Sequence, residues 1–548
     1  MSRIRDAGDS ALLLEWDEVI DPRVNSQAIA VATALRDARL PGVRDVVSTY
    51  RSVALFFEPL KADPRALRDA LMRAVSTPLE IVRGNTIEVP VTYGGETGPD
   101  LSVVAEWAGL SPDEVAERHA GVEYRVFMLG FLPGFGYLGS VDERIAAPRR
   151  DTPRLRVPVG SVGIAGKQSG VYPRASPGGW QVIGWSPIHL FDPARSPSAL
   201  LEPGDTVRFV PMPATQAASA LAGRAAHEGR PPSTSPVEGG ARTVTVVRPG
   251  LFTTIQDRGR WGHQASGVSV GGALDVLSHR IANLLVGNPA DAATLEVTIA
   301  GPELRIEQGA RVGLAGADLQ ATIDGITAPT GVATVCGPGS ILRFGERRSG
   351  ARAYVAFDGG VDVTPLLGSR ATHVGAALGG IDGRALAAGD RLPLGSPTAG
   401  AVSRTIASSV IKPAGGARLR VLPGPQDDFF PEPAFTLLER TRFTVTPQSN
   451  RMGYRLSGGV IPRVPNREMI SDAAFVGAIQ VPASGEPFLL MSDRQTTGGY
   501  PQMATVITAD LPLAGQLAPG DWVEFSLCTR DEAIAALRDQ EAMLDGLT

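Results

Sequence analysis

Lysine is nearly missing from this chain. Of the 52 Lys and Arg residues among 548, only Lys61, Lys167 and Lys412 are lysine, and arginine supplies the other 49. Cysteine is almost as scarce. Cys336 and Cys528 alone exclude a disulfide framework, and neither stands at the spacing of a zinc ligand. The six histidines form no His-x-x-x-His pair, so no metal site is expected. No run of about 18 apolar residues occurs, and the opening Met-Ser-Arg-Ile-Arg-Asp lacks the apolar core and cleavage site of a signal peptide. This composition predicts no membrane partner and a cytoplasmic location. A net charge of −5 without a basic block argues against nucleic acid and favours a small polar substrate.

What is present is repetition. Gly166-Lys167-Gln168-Ser169-Gly170-Val171-Tyr172-Pro173 is echoed by Asp493-Arg494-Gln495-Thr496-Thr497-Gly498-Gly499-Tyr500-Pro501, and each follows an apolar strand. Both segments read as tight loops at strand ends, carrying side chains suited to a carboxylate or a polarised carbonyl. Lys167 stands out against the arginine-rich background. It is either a group whose pKa can be tuned by burial or an exposed lysine that survived by chance. A second fragment, Leu201-Glu202-Pro203-Gly204-Asp205, returns as Leu517-Ala518-Pro519-Gly520-Asp521 and more weakly as Leu386-Ala387-Ala388-Gly389-Asp390. Gly-Asp marks a turn and the flanks alternate like strands, so three related β-rich units are expected.

The chain is too long for one core. Residues 1–85 predict an α+β domain in strand, helix, strand, strand, helix order, completed by a strand near Ile87 in the split βαβ arrangement. Residues 86–211 predict a barrel interrupted by one helix, opened by the capping box Ser111-Pro112-Asp113-Glu114 and running to His119. A Pro-, Ala- and Ser-rich linker follows over 212–241. Residues 242–396 form a second barrel unit, 397–416 a weakly structured connection, and 417–548 a third unit with a polar helix from Asp531 to Met543. The fold class is mainly β, with an α+β N-terminal domain and three barrel units.

Several motifs are decoys. Gly134-Phe135-Gly136-Tyr137-Leu138-Gly139 has dinucleotide spacing, but no helix pattern follows it. Gly160 to Ser169 resembles a P-loop with the wrong glycine spacing, Gln168 where a magnesium-binding hydroxyl belongs, and no helix after it. No nucleophile elbow occurs, and His189 suits a barrel edge. Two arginine-rich loops leave two readings open. Asp257 either fixes Arg258 or Arg260 in a structural ion pair, or leaves a guanidinium fork for a substrate carboxylate. Arg451 and Tyr454, in Ser449 to Arg455, admit the same alternatives.

The segments Gly130-Phe131-Leu132-Pro133-Gly134-Phe135-Gly136-Tyr137-Leu138, Gly166 to Pro173 and Pro177-Gly178-Gly179-Trp180 closely resemble the B component of 5-oxoprolinase, also called the KipI or allophanate hydrolase subunit 1 family. Gln256-Asp257-Arg258-Gly259-Arg260, Gly271-Gly272-Ala273-Leu274-Asp275, Arg451 to Leu456, Gly477 to Pro482 and Asp493 to Pro501 resemble the C component, the KipA or biotin-dependent carboxyltransferase family. This resemblance makes the chain a fusion of the two.

The resemblance implies cyclophilin-like barrels and ATP-dependent opening of 5-oxoproline to L-glutamate with a separate A component of the LamB/YcsF family. ATP is expected to sit on that partner. The expected catalytic set is Lys167, Gln168, Gln495 and Asp493. Ser169, Tyr172, Arg258, Arg260, Arg451, Tyr454, Thr496, Thr497 and Tyr500 are expected to bind substrate in a cleft between the first and last barrels, without metal. One alternative is a carboxyltransferase acting on urea or a related amide. No biotinylation motif surrounds any of the three lysines, so carboxybiotin would come in trans. A second alternative is a non-catalytic, kinase-binding regulator of KipI type.

Overall fold

A computed structural model describes residues 2–77, 84–216, 219–221, 242–397 and 415–546. Most of the expected 212–241 linker and of the 397–416 connection lies outside them. The N-terminal domain is a four-stranded antiparallel sheet of Arg3–Asp6, Ala11–Glu15, Ser52–Phe57 and Val43–Ser48, in that spatial order. Helices Pro22–Asp37 and Pro64–Ser76 each begin with an aspartate cap followed by proline: Asp21 accepts from the Arg23 and Val24 amides, and Asp63 from the Arg65 amide.

Every residue of Ala11–Glu15 and Ser52–Phe57 is buried, because both faces of the sheet are covered. Leu12, Leu14, Val53 and Leu55 pack under the helices. Ala11, Leu13, Ala54 and Phe56 pack against Ala473, Phe475, Ala478 and Leu490 of the last unit. The strand expected near Ile87 to complete this domain goes elsewhere. Thr86–Tyr93 enters the next unit and runs parallel to Thr206–Pro211.

That next unit is a closed barrel of seven strands, and Gly416–Leu527 contains another. Each is sealed by a parallel pair, Thr86–Tyr93 with Thr206–Pro211 and Gly416–Pro423 with Trp522–Leu527. The middle unit keeps the strand content but arranges it as a six-stranded and a five-stranded sheet. Among the described residues, no strand there takes the place of that first parallel strand. The capped helix spans Pro112–Ala120 with its capping box formed, and the C-terminal helix spans Arg530–Asp545. Helices Leu101–Ala108, Val276–Val286 and Glu432–Arg440 are additional to those read from the sequence.

The three Gly-Asp turns are the same structure three times. The Asp side chain accepts the amide of the residue three positions earlier: Asp205 from Glu202 at 2.8 Å, Asp390 from Ala387 at 2.7 Å and Asp521 from Ala518 at 2.9 Å. The glycines sit at φ +101°, +90° and +90°, a region open to glycine. Each turn also pairs with a valine on the neighbouring strand in both directions, Val126, Val246 and Val445.

Candidate functional site

The second copy of the repeated loop leaves strand Phe488–Leu490 and is fixed at its first residue. Arg451 donates to Asp493 Oδ2 and Oδ1 at 3.0 Å each, to the Gly272 carbonyl at 2.6 Å, and to Glu296. Burial works against the Arg451 charge, but Asp493 and Glu296 outweigh it and hold the guanidinium above its usual range. Arg494, next along, is buried without a touching carboxylate. Its Nε donates to Ala474 O at 3.1 Å and its Nη2 to Gln264 Oε1 at 2.9 Å. Desolvation lowers its pKa to about 10, opposed by the charge of Asp45, so it stays protonated at neutral pH.

Arg494 and Ser492 line a cavity of about 610 Å³. Arg44, Phe57 and Glu58 of the N-terminal domain, Asp257, Arg258 and Trp261 of the middle unit, and Leu537 and Glu541 of the C-terminal helix form other walls. The volume falls in the range of small-molecule sites. Most of its charges are spent on one another: Arg44 and Lys61 hold Glu58 at 2.8 and 3.1 Å, and Arg280 grips both oxygens of Glu541 at 2.5 and 2.8 Å. Asp257 accepts from Ser369 Oγ at 2.7 Å and from the Arg370 and Gly259 amides, so it does not fix an arginine side chain. Arg258 therefore stands in the cavity with no hydrogen bond or ion pair to a described residue. Partial burial, then the neighbouring Arg44 and Arg280, lower its pKa.

The first copy of the loop is placed differently. Lys167 is exposed and paired with Glu143 at 2.7 Å. Gln168 donates to the Tyr50 hydroxyl at 2.5 Å. Ser169 is buried, 2.8 Å from His119 Nε2, and donates to Gly163 O at 3.2 Å. Tyr172 lies in an aromatic cluster with Phe131, Phe135 and Trp180. The two copies approach one another through two tyrosines. Tyr50, bonded to Gln168, lies 6.2 Å from Tyr137 ring to ring, and Tyr137 neighbours Thr497, whose buried Oγ1 has no hydrogen-bond partner among the described residues.

The expected residues thus divide. Arg258 reaches the cavity, and Asp493 braces Arg451 behind it. Lys167, Gln168, Ser169, Tyr172, Gln495, Thr496, Thr497 and Tyr500 are not among its lining residues. Arg260 is buried, donates to Ala371 O, and leaves its Nε and Nη1 without partners. Tyr454 is buried under Arg352, whose guanidinium carbon is 5.7 Å from the ring centre. Sequence patterning does not single out Arg44, Trp261, Arg494 or Glu541 as cavity residues. Arg494 nonetheless carries a legible signal, since it holds the position of Lys167 in the repeat. Among the described residues no group of three or more His, Cys, Asp or Glu side chains is placed to hold a metal ion, and no helix is long and apolar enough to cross a membrane.

Comparison with known proteins matches two parts of the chain to two families. Residues 2–201 match the family described as carboxyltransferase domain, subdomain C and D, and residues 266–527 match carboxyltransferase domain, subdomain A and B. The chain is 39% identical to the 5-oxoprolinase C component of Escherichia coli (strain K12) over 304 residues, 56% of this chain and 97% of that protein. It is 41% identical to the 5-oxoprolinase B component of Bacillus subtilis over 225 residues, 38% of this chain and 92% of that protein. Urea amidolyase of Saccharomyces cerevisiae is 30% identical over 327 residues, but the match spans 18% of that protein. The crystal structure of TTHA0988 superposes with a TM-score of 0.82 at 36% identity, covering 96% of this chain and 100% of that one. The chain belongs to the carboxyltransferase-domain family of the 5-oxoprolinase B and C components, with the two joined in one polypeptide.

Proposed function

We propose that this chain is the fused B/C component of an ATP-dependent 5-oxoprolinase, opening 5-oxoproline to L-glutamate together with a separate A component. The observation that carries the reading is the cavity at Arg258. The C-component motifs around Asp257, Gly271 and Asp493 converge there with the N-terminal domain, around a cation free to take the lactam's carboxylate. ATP belongs to the A component in this reading. Gly160 to Ser169 is a strand, turn and strand, Ser161–Ala165 paired with Gln168–Val171, without the helix start that cradles phosphates. The protein works in the cytoplasm, where Cys336 and Cys528 stay reduced.

Glutamate release from 5-oxoproline and ATP, measured with the chain and its A-component partner together, tests this. Its absence with both present rejects the proposal. The urea amidolyase relatives favour a second reading, carboxyl transfer to urea or a related amide from carboxybiotin on another protein. Urea has no carboxylate, so that reading leaves Arg258 without a purpose.

A further inference from the structure

The two copies of the repeated loop carry matching residues in opposite states. In the first, each polar side chain is satisfied: Lys167 by Glu143, Gln168 by Tyr50, and Ser169 by His119 and Gly163 O. In the second, Arg494 is only 2% exposed, yet its Nη1 makes no hydrogen bond with a described residue, and Arg494 is one of the residues that line the cavity. Thr496 Oγ1 close by is buried and unpaired. Buried polar groups in folded proteins are nearly always satisfied. A group left open beside a cavity is one that a ligand completes, whereas a satisfied copy serves as a brace.

We infer that Arg494 is a catalytic residue whose Nη1 receives the carbonyl oxygen of an amide bound in the cavity, and that Lys167, its counterpart in the first copy, serves only the fold. The assignment rests on the function proposed above. A guanidinium held by two neutral oxygens, with no counter-ion in contact, keeps its field for an oxygen that gains negative charge. Its two fixed nitrogens orient the third before substrate arrives, which is the preorganisation such stabilisation needs. Arg258 lines the same cavity and is left for the carboxylate. The pair therefore selects amides that carry an acid group.

Steady-state turnover of the full chain with the A component, ATP and 5-oxoproline tests the assignment. R494Q is expected to lose about 10²- to 10³-fold in kcat with KM within about threefold, the signature of an interaction made in the transition state. K167Q is expected to keep both within about twofold, as for an exposed pair. A thermal melt first establishes that R494Q folds. If it does not, R494K, which keeps the charge but loses the planar fork, decides by the same split, with at least about a tenfold fall in kcat expected. An unchanged kcat in the folded variant, or an equal loss in K167Q, overturns the assignment alone. No glutamate from the unsubstituted chain overturns the proposed function, and the assignment with it.

Discussion

Arg451 and Asp493 hold each other through two hydrogen bonds of 3.0 Å, both side chains almost wholly buried. This pair sets where the second loop begins and hence where Arg494 points. Breaking a buried pair costs up to about 3–5 kcal/mol, and here Glu296 and the Gly272 carbonyl still hold Arg451 when Asp493 is neutralised. D493N is therefore expected to melt lower than the unsubstituted chain in a thermal scan, by up to about 10 °C. An unshifted melt with lost turnover would instead make Asp493 a direct participant in the chemistry.

Arg258 has nothing to hold until a ligand arrives. A hydrogen bond to a charged group contributes about 1.5–3 kcal/mol, so R258Q is expected to raise KM for 5-oxoproline by about 10- to 100-fold with kcat nearly unchanged. The uncharged lactam lacking the carboxylate should be turned over equally by both forms. Steady-state kinetics on the two substrates checks this, and equal KM values for 5-oxoproline would remove Arg258 from the site.

His119 makes acid stability measurable. It is fully buried between the Tyr93 hydroxyl on Nδ1 and Ser169 on Nε2, and desolvation pushes its pKa from 6.5 to about 3. His279 is driven to about 4 mainly by the same cause. Below pH 6.5 the unfolded chain takes up these protons and the folded one does not, so stability present above that pH drains away as pH falls towards 4 and then 3. Melting temperature should fall across this window, and H119Q should flatten the slope. An identical slope in the variant would show that His119 titrates normally.

Gly130 lets two barrels touch. A Cβ there would overlap Thr497, lying 2.7 Å from its Cγ2 and 2.9 Å from its Cβ as well as colliding with Oγ1. G130A is expected to cost about 1–3 kcal/mol through overpacking, and T497A should relieve part of it in the double variant. Thermal melts of the four chains complete the cycle; strict additivity would mean that the two residues do not meet.

Much of this architecture is legible in the sequence because turns and caps are local. The Gly-Asp turn needs only five consecutive residues, so even its weak third copy, Leu386 to Asp390, is readable. The capped helix from Pro112 is as well. The Ile87 strand is misplaced by such a reading because one edge strand looks the same whichever sheet it joins, and pairing with Thr206–Pro211 is a contact between segments far apart in the chain. Nor can the repeat itself reveal which copy is open. Glu143, Tyr50 and His119, which satisfy the first loop, come from separate parts of the chain, as do the walls around Arg494. The middle unit's two sheets follow from the lack of a closing parallel strand, which residue patterning does not announce.

The C-terminal helix reaches back to the opening residues. Arg530 donates to the carbonyls of Gly8 at 3.3 Å and Asp9 at 3.2 Å, and Thr508 of the last unit bonds both carboxylate oxygens of Asp9 at 2.9 and 2.6 Å. Arg5 grips Asp427 at 2.7 Å on the same side. The fusion is thus fastened at its far ends as well as through its backbone. A nick between residues 222 and 240 should leave two fragments that travel together through a sizing column, so a continuous chain and a pair of separately made polypeptides can build the same body.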